Sequence, residues 1–259
     1  MTGAALVTGA AKRIGRGIAL DLVKNGWAVA IHCNRSLDEA KALAVEIKDA
    51  GGKATVVNAD LADESQTATV VERAAADLGP ITCLINNASV FEYDTPLDAT
   101  RSSWDRHMEI NLRAPFTLTQ AFVGQLPPET EGNVINIIDQ RVWNPTPEFT
   151  SYTLSKAGLW TLTKTLAQGL APQVRVNAVG PGPTERNIHQ TAEAFEDEWS
   201  SVLLGRKVEI DEICGAVRFI LGTRSMTGQM LALDSGQHLR WSVMTPEPAT
   251  PVTTDEEKT

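Results

Sequence analysis

Short apolar runs alternate along the chain with longer stretches of helical periodicity. Seven runs rich in Val, Ile, Leu and Ala lie at residues 4–8, 27–33, 53–59, 82–87, 133–138, 174–180 and 230–234. Between them, apolar residues recur with the period of a helix near residues 14–25, 37–50, 63–78, 102–125, 151–170 and 209–221. Strands that are covered by helices on both faces are almost continuously apolar. The pattern therefore predicts an α/β protein with a doubly wound, seven-stranded parallel sheet flanked by helices.

Two segments depart from this alternation. Residues 184–206 carry an amphipathic stretch, which fits a lid over a site as well as an ordinary surface helix, and Trp199 within it could face a pocket or the core. The last residues, 243–259, are rich in Pro, Thr and acidic residues, which predicts a flexible tail. No boundary divides the alternating series, so residues 1–242 are expected to form one domain.

Charge and composition narrow the classes of partner. The net charge is −9, the pI is near 5.0 and there is no basic run, which argues against nucleic acid or an anionic membrane. We expect no signal peptide, and no window approaches the roughly 18 apolar residues of a membrane span. Cys33, Cys83 and Cys214 form no CxxC motif, so they are expected to be reduced packing residues of a cytoplasmic protein. The four histidines are dispersed, so no metal site is predicted.

The first apolar run ends in the glycine-rich sequence TGAAKRIGRG at residues 8–17. A tight turn from strand to helix needs residues without a Cβ where the backbone approaches phosphates. The N-terminus of the following helix then offers free N–H groups to a pyrophosphate. The sequence therefore predicts a Rossmann-type dinucleotide site that includes Gly9, Arg13, Ile14 and Gly15.

The end of the second predicted strand indicates which dinucleotide is bound. An acidic residue there would accept bonds from a free ribose and favour NAD, but the first acid is Asp38. The chain instead carries His32, Asn34, Arg35 and Ser36. An arginine and a serine can bind a 2′-phosphate, so NADPH is the expected cofactor. The alternative is that Arg35 is a solvated loop residue.

Further cofactor contacts are predicted at the ends of the third and fourth strands. Asp60 could accept a bond from the adenine amino group, and Leu61 follows it. Asn87 and Ala88 end the fourth strand, where open α/β sheets place their ligands.

A candidate catalytic group follows the fifth apolar run. Asp139 ends that run, and Tyr152 and Lys156 lie four residues apart at the start of the next helix, hence on one face. An ammonium beside a phenol stabilises the phenolate, so we expect the pKa of Tyr152 to be lowered. The tyrosine is then a proton donor near neutral pH.

These motifs together resemble the short-chain dehydrogenase/reductase family over about residues 4 to 240. The resemblance rests on TGxxxRxG at 8–15, NNA at 86–88, Asn111, YxxxK at 152–156 and the Pro–Gly pair at 181–182. It implies that Asn111 is catalytic, bending a helix and holding a water in a relay to Lys156. It also implies cofactor contacts from Tyr152 and Lys156, and a homotetramer.

Two departures from the general family pattern resemble its pteridine reductase branch, which includes the bacterial dihydromonapterin reductases. Arg13 stands where the family has glycine, and Asp139 stands where it has serine. The sequence NNASVF at 86–91 is similar to the branch's NNAS-x-F, which implies that Ser89 and Phe91 contact a pterin, Ser89 also touching the cofactor. The sequence GPGPT at 180–184 resembles the loop that closes over the nicotinamide and pterin, with contacts from Pro181, Gly182 and Thr184.

Pteridine chemistry suits these residues. A carboxylate beside the oxyanion of a ketone reduction would repel it. Reduction of a ring C=N bond instead requires a proton on nitrogen, which an Asp139–Tyr152 pair can relay. Phe91 could stack on the flat heterocycle, and Arg13 could bridge the cofactor phosphates and a polar edge of the pterin. The structural alternatives are a turn residue at Asp139, loop packing at Phe91, and an ion pair of Arg13 with an acid on the first helix.

The leading hypothesis is an NADPH-dependent reductase of a dihydropterin such as dihydrobiopterin or dihydromonapterin, with dihydrofolate as a further candidate. The second is a family member acting on another carbonyl or imine, and the third is a non-catalytic NADPH-binding protein. The family resemblance places helices four and five and the C-terminal segment at interfaces of the tetramer. Within the segment 234–241, Trp241 is either a packing anchor or part of another subunit's pocket.

Overall fold

A computed structural model describes residues 3–186 and 190–240, and its seven strands form one parallel sheet. The strands are β1 (Ala4–Val7), β2 (Ala28–Cys33), β3 (Ala54–Asn58), β4 (Ile81–Asn86), β5 (Gly132–Ile137), β6 (Val174–Pro181) and β7 (Met230–Leu233). Their order is β3-β2-β1-β4-β5-β6-β7, and every neighbouring pair is parallel. The predicted fold class is confirmed. The chain reverses its winding direction between β1 and β4, which places a ligand crevice at the carboxyl ends of these strands.

The helices that connect these strands cover both faces of the sheet. They are α1 (Arg13–Lys24), α2 (Leu37–Asp49), α3 (Glu64–Thr67), α4 (Val70–Leu78), α5 (Arg101–Met108), α6 (Ala114–Gln125), α7 (Thr150–Leu170), α8 (Ala192–Ser200) and α9 (Ile210–Gly222). Apolar residues of α1, α2 and α9 pack on one face of the sheet, and those of α4, α6 and α7 pack on the other. Cys33, Cys83 and Cys214 are buried and unpaired in this core. Of the helices in the described ranges, none is long and apolar enough to cross a membrane.

Two helices that the periodicity predicts as continuous are divided. The stretch 63–78 contains α3 and α4. Between them the Thr69 N–H donates to the carbonyl of Gln66, only three residues back, where the α-helical ladder would have a four-residue bond. The stretch 102–125 contains α5 and α6 joined by a π-helical turn at Glu109–Arg113. The buried apolar residues Ile110, Ala114, Leu118 and Phe122 recur every four residues from this turn onwards, so their spacing does not reveal it.

The segment 184–206 contains helix α8, none of whose residues is fully buried. Trp199 on this helix is half-buried, so it belongs neither to the core nor to open solvent. Trp241 and the tail 243–259 lie outside the described residues. The single domain over 1–242 and the cytoplasmic location stay predictions.

Candidate active site

The glycine-rich turn after β1 is built on two close backbone approaches. Gly9 has a φ of +63°, and a Cβ on Gly15 would lie 2.4 Å from the Gly9 carbonyl oxygen and 2.6 Å from Nδ2 of Asn87. These two positions therefore need glycine. The turn leads directly into α1, whose N-terminus has no side-chain cap, and free N–H groups at a helix N-terminus form an anion site.

Thr8 and Asn87 join the turn to the end of β4. The Thr8 hydroxyl oxygen accepts bonds from the backbone N–H groups of Asn87 and Ala88, both at 2.9 Å. Nδ2 of Asn87 donates to the Thr8 carbonyl at 2.8 Å. The predicted cofactor residues Asn87 and Ala88 thus lie beside the turn, and the Asn87 amide fixes its shape.

The His32 side chain is hydrogen-bonded to the backbone of the glycine-rich turn. Its Nδ1 accepts from the Gly9 N–H at 3.2 Å, and its Nε2 lies 3.2 Å from the Ala59 carbonyl oxygen, to which it donates. Burial lowers the pKa of His32 to about 4, so the ring is neutral. Both ring nitrogens are engaged by the protein, so the predicted direct contact of His32 with a cofactor is replaced by a supporting role.

The loop after β2 presents Arg35 to solvent. Arg35 is exposed, and within the described part of the chain it forms no ion pair. Ser36 precedes α2, and its side chain does not cap that helix. The Asn34 carbonyl accepts from Asn58, which fixes the loop at the edge of the sheet. Arg35 and Ser36 are therefore available for an anionic group.

The third strand ends at a half-buried acid. Oδ1 of Asp60 accepts from the Ala62 N–H at 3.0 Å, which fixes the carboxylate at the rim of the crevice. Leu61 beside it is buried and anchors the loop in the core.

Asp139, Tyr152 and Lys156 come together where β5 ends and α7 begins. The Tyr152 hydroxyl donates to Oδ2 of Asp139 at 2.8 Å, and Oδ1 of Asp139 accepts from the Arg141 N–H at 2.8 Å. Nζ of Lys156 donates to the Ile137 carbonyl at 2.9 Å and lies 5.8 Å from the centre of the Tyr152 ring. The sequence prediction that these three residues share one location agrees with this geometry. Asp139 also caps the short turn that follows it, so it has a structural role as well.

The electrostatics of this group differ from expectation. Burial raises the pKa of Tyr152, and the charge of Asp139 and the hydrogen bond to it raise that pKa further. The prediction of a lowered pKa was wrong for this state, because Asp139 is the nearer partner and Lys156 bonds to a carbonyl instead. The phenol therefore keeps its proton and shares it with a carboxylate, which is the arrangement of a donor coupled to an acceptor.

Burial of Lys156 leads to a prediction about stability. Burial lowers the pKa of Lys156 from 10.5 to about 8. The charged form therefore costs free energy below about pH 8, and this cost shrinks as the pH rises towards the unfolded value. Lys156→Met is expected to raise the free energy of unfolding by about 2 kcal/mol near neutral pH.

Urea unfolding at about pH 7 and about pH 10 measures this effect. The gain is expected at neutral pH and should diminish at high pH. Lys164→Met is the matched control, because Lys164 is exposed on the same helix and should show no such gain. Equal stability of Lys156→Met and wild type at both pH values would contradict the account.

Asn111 lies in the π-helical turn and is fully buried. Its Nδ2 donates to the Val90 carbonyl and to Oγ of Ser155, both at 3.0 Å, and its Oδ1 accepts from the Val90 N–H at 2.9 Å. The Ser89 hydroxyl also donates to Oδ1, at 3.1 Å. Asn111 thus ties the loop after β4 to α7. The expected distortion of its helix is present, and its relay water stays a prediction.

An aromatic cluster lines the site beside Tyr152. Phe91 stacks on Phe149 with ring centres 4.2 Å apart and planes at 11°, and it contacts Tyr152 edge-on at 4.6 Å. Tyr93 meets Phe149 edge-on at 5.2 Å, and the Arg141 guanidinium lies 5.2 Å from the centre of the Phe149 ring. A flat substrate that stacks on the Phe149-facing side of Phe91 has to displace Phe149.

Sequence reasoning missed Phe149 and Arg141. Phe149 has a φ of +57°, a left-handed conformation that a bulky residue rarely adopts. A phenylalanine three residues before Tyr152 carries no sequence signal for this conformation. Strained backbone of this kind concentrates at functional sites.

Arg13 bridges the glycine-rich turn and the loop after β6. Its Nε donates to Oε2 of Glu185 at 2.9 Å, and its Nη2 donates to the Glu185 carbonyl at 2.8 Å. The alternative of an acid on the first helix is therefore not what the structure shows. Instead, Arg13 links the glycine-rich turn to Glu185, which directly follows the 180–184 loop.

The 180–184 loop is anchored at its base to β7. The Gly182 N–H donates to the Leu233 carbonyl at 2.8 Å, and a Cβ on Gly182 would lie 2.7 Å from Cα of Asp234. Thr184 is buried and donates to the Gly182 carbonyl at 3.0 Å. Pro181 ends β6. The three predicted residues of this loop, Pro181, Gly182 and Thr184, therefore lie at the carboxyl ends of the strands, as Asp139 does.

Comparisons with known proteins agree with this architecture. The model of the short chain dehydrogenase family matches residues 3–197. The Brucella canis protein FolM Alternative dihydrofolate reductase 1, solved with NADP, is 48% identical with a TM-score of 0.91, over 94% of this chain and 96% of that chain. Its Brucella suis counterpart is 49% identical with the same TM-score, over 93% and 97%. The 3-oxoacyl-(acyl-carrier-protein) reductase FabG of Staphylococcus aureus is 29% identical over 247 residues, 92% of this chain and 99% of that protein. The chain is therefore an oxidoreductase of the short-chain dehydrogenase/reductase family.

Proposed function

We propose that the protein is an NADPH-dependent reductase of a pteridine. The observation that carries the proposal is the hydrogen bond from the Tyr152 hydroxyl to Asp139, at the position where the general family has serine. When bound, NADPH supplies the hydride, and a C=N bond of the ring gains that hydride on carbon and a proton on nitrogen. The residues of the chain bind the heterocycle, orient it and manage that proton.

The carboxylate separates this chemistry from ketone reduction. A developing oxyanion beside Asp139 would meet a like charge in a buried site, where repulsion is strong. A pteridine offers ring N–H and amino groups, which are donors that a carboxylate accepts. The Tyr152 hydroxyl, which donates to Oδ2 of Asp139, gives its proton to the ring nitrogen, and a proton taken up from solvent restores the phenol.

The aromatic cluster supplies the apolar half of the site. Phe91 lies against Tyr152, so a flat ring stacked on Phe91 is held beside the phenol. The exposed Ser89 hydroxyl lies next to Phe91 and provides a polar contact. This combination of flat apolar walls and few polar groups is typical of pockets for heterocycles.

The crevice fits a dinucleotide phosphate. Gly9 and Gly15 leave no room for a Cβ at the turn, and α1 directs its N-terminal N–H groups at the same place. We assign the adenine side to Asp60 and the 2′-phosphate to Arg35 and Ser36. The Brucella neighbours were solved with NADP, which supports this choice of cofactor.

Arg35→Asp tests the cofactor assignment. We expect the KM for NADPH to rise by about 10- to 100-fold, because a charge-assisted contact to phosphate is replaced by repulsion. The KM for NADH should change much less. Arg101→Asp is the control, since Arg101 is an exposed arginine on α5. Unchanged NADPH preference in Arg35→Asp would remove the argument for the 2′-phosphate.

The names of the related proteins indicate two classes of substrate, and the second class gives a second candidate function. The Brucella proteins are named as alternative dihydrofolate reductases, and dihydrofolate contains a pteridine ring. The FabG relatives are named as reductases of a 3-oxoacyl thioester, which is a carbonyl substrate. A carbonyl reductase is therefore the second candidate, and Asp139 weighs against it. A purely binding function is weaker still, because binding alone does not require a buried phenol that is hydrogen-bonded to a carboxylate, as Tyr152 is to Asp139.

A substrate panel distinguishes these candidates. NADPH consumption is followed by the absorbance of reduced nicotinamide with dihydrobiopterin, dihydromonapterin, dihydrofolate, simple ketones and a 3-oxoacyl thioester. We expect turnover with at least one pteridine and little with the carbonyl compounds. Turnover with carbonyl compounds alone would favour the second candidate, and tight NADPH binding without any turnover would favour a binding function.

We also propose that the protein is a homotetramer, as the family resemblance implies. An open apolar groove of about 570 Å³ lies along α5, the π-helical turn and α7, lined by Leu112, Phe116 and Leu162 among others. Association of this face with a second copy would remove it from water. Sedimentation velocity tests the proposal, and a monomeric mass would contradict it.

A further inference from the structure

Three buried polar side chains next to Tyr152 have no part in the reaction proposed above. Asp94 lies in the loop after β4, His107 lies on α5, and Ser151 lies in the first turn of α7. Asp94 is 3% exposed, and the other two are 0% exposed. Because buried polar groups are costly unless paired, this cluster requires an explanation.

The hydrogen bonds of the cluster form a chain in which each group donates to the next and Asp94 accepts at the end. The Glu92 N–H donates to Nε2 of His107 at 3.2 Å, so the ring proton sits on Nδ1. Nδ1 lies 2.7 Å from Oγ of Ser151 and donates to it. The Ser151 hydroxyl donates in turn to Oδ2 of Asp94, and the Ser151 N–H donates to Oδ1 at 3.1 Å. The Ser103 hydroxyl also donates to Oδ2, at 3.0 Å.

This order excludes a serine nucleophile. In a hydrolytic triad the histidine stands between serine and aspartate, whereas here the serine stands between the other two. The Ser151 hydroxyl is also buried, and the free nitrogen of His107 already accepts a backbone N–H. Burial lowers the pKa of His107, which keeps the ring neutral. Burial alone would raise the pKa of Asp94, but the bonds from Ser151 and Ser103 lower it overall, so the carboxylate stays ionised.

The cluster connects the two parts of the proposed substrate site. The loop 89–94 carries Phe91, and the first turn of α7 carries Tyr152. The Thr150 N–H donates to the Asp94 carbonyl at 3.3 Å, so backbone and side chain of Asp94 both hold the start of α7. The His107 ring lies 6.1 Å from the Tyr152 ring, beneath the catalytic phenol.

We propose that Asp94, His107 and Ser151 are positioning residues that fix Phe91 relative to the Tyr152 hydroxyl. The inference rests on the proposed function insofar as Phe91 binds the substrate and Tyr152 supplies the proton. A carboxylate at the end of the chain of donors gives every hydrogen in it one position, so the loop and the helix cannot shift independently. Small displacements of catalytic groups reduce reaction rates strongly. By preventing such displacements, the cluster is expected to keep the rate high.

Asp94→Asn is the principal test. Asparagine keeps the shape of aspartate, but its amide group directs donors at the hydroxyls of Ser151 or Ser103, which are donors themselves. We expect kcat/KM for the pteridine to fall by about 10- to 100-fold, with both a lower kcat and a higher pteridine KM. The dissociation constant for NADPH should stay at the wild-type value. Ser103→Ala is the matched control, because it removes one bond to Asp94 and leaves the bonds of Ser151 in place.

Ser151→Ala is the second variant, in case Asp94→Asn does not fold. It removes the middle hydroxyl and should give the same pattern of kinetic losses. A cluster that only stabilises the fold would lower Tm and the active fraction while both KM values stayed constant. That outcome would overturn the inference.

Hydrogen–deuterium exchange of the NADPH-saturated enzyme supplies a measurement without turnover. Segments 89–95 and 150–153 should exchange faster together in both variants, and Ser103→Ala should resemble wild type. Unchanged exchange in both segments would overturn the inference. If the wild-type enzyme reduces no pteridine, the proposed function fails, and the exchange measurement alone decides the positioning role.

Discussion

Tyr152→Phe is expected to lower kcat for pteridine reduction by about 100- to 10,000-fold. The substitution removes the hydroxyl that donates to Asp139 at 2.8 Å and leaves the ring that packs on Phe91. NADPH binding, measured by fluorescence titration, should remain, because the crevice around the glycine-rich turn is untouched.

Tyr93→Phe is the matched control for this variant. The chain has two tyrosines, and Tyr93 belongs to the same aromatic cluster but is 59% exposed. Removal of its hydroxyl should leave turnover close to wild type. A Tyr152→Phe enzyme that keeps most of its activity would contradict the role of Tyr152 as the proton donor.

Asp139→Ser is expected to lower kcat/KM for the pteridine by about 100-fold. The serine cannot accept two donors from the substrate as a carboxylate does, so the pteridine is held less well. Loss of the Asp139 charge also lowers the pKa of Tyr152, which favours proton donation to a ketone oxyanion. The same change restores the hydroxyl donor of the general family, so a ketone that wild type does not reduce should become a measurable substrate. Both activities are measured by NADPH consumption.

Asp139→Asn separates charge from shape. Asparagine keeps one oxygen that can accept from the Arg141 N–H or from Tyr152, but it has no negative charge. We expect a pteridine activity below wild type and some gain of ketone reduction, because the repelling charge is gone and the amide NH2 group can donate to an oxyanion. Unaltered pteridine turnover in Asp139→Ser would show that Asp139 is only the cap of the turn after β5.

The sheet was predictable because its central strands β1, β4, β5 and β6 are buried along almost their whole length. The run 4–7 is apolar over its whole length, those at 133–138 and 174–180 are interrupted by only two polar residues each, and the connections between the runs are long enough for helices. The π-helical turn at Glu109–Arg113 was not predictable from spacing. It depends on the inward bonds of Asn111 to Val90 and Ser155, which join residues distant in sequence.

The candidate site was predictable where topology brings residues together. Asp139 follows a strand and Tyr152 lies in the first turn of the next helix, so a parallel sheet places both residues at the carboxyl ends of its strands. The residue to which a given side chain is hydrogen-bonded was not predictable in the same way. Arg13 meets Glu185 from 172 residues away, and His32 meets Gly9 and not a ligand.

The direction of the Tyr152 pKa shift was also not predictable from the sequence. The YxxxK spacing suggested an ammonium next to the phenol, but the distances favour the carboxylate. A raised pKa follows from burial and from Asp139, neither of which the spacing contains. The cluster of Asp94, His107 and Ser151 was missed because its three members come from three separate elements.

Transfer of deuterium tests the central claim most directly. The enzyme is incubated with a dihydropteridine and NADPH that carries deuterium at both positions of its reactive carbon, and the pteridine product is analysed by mass spectrometry. We expect wild type to form a tetrahydropteridine that contains one transferred deuterium on carbon, and Asp139→Ser to form much less of it. Consumption of NADPH without deuterium in any pteridine product would contradict the central claim.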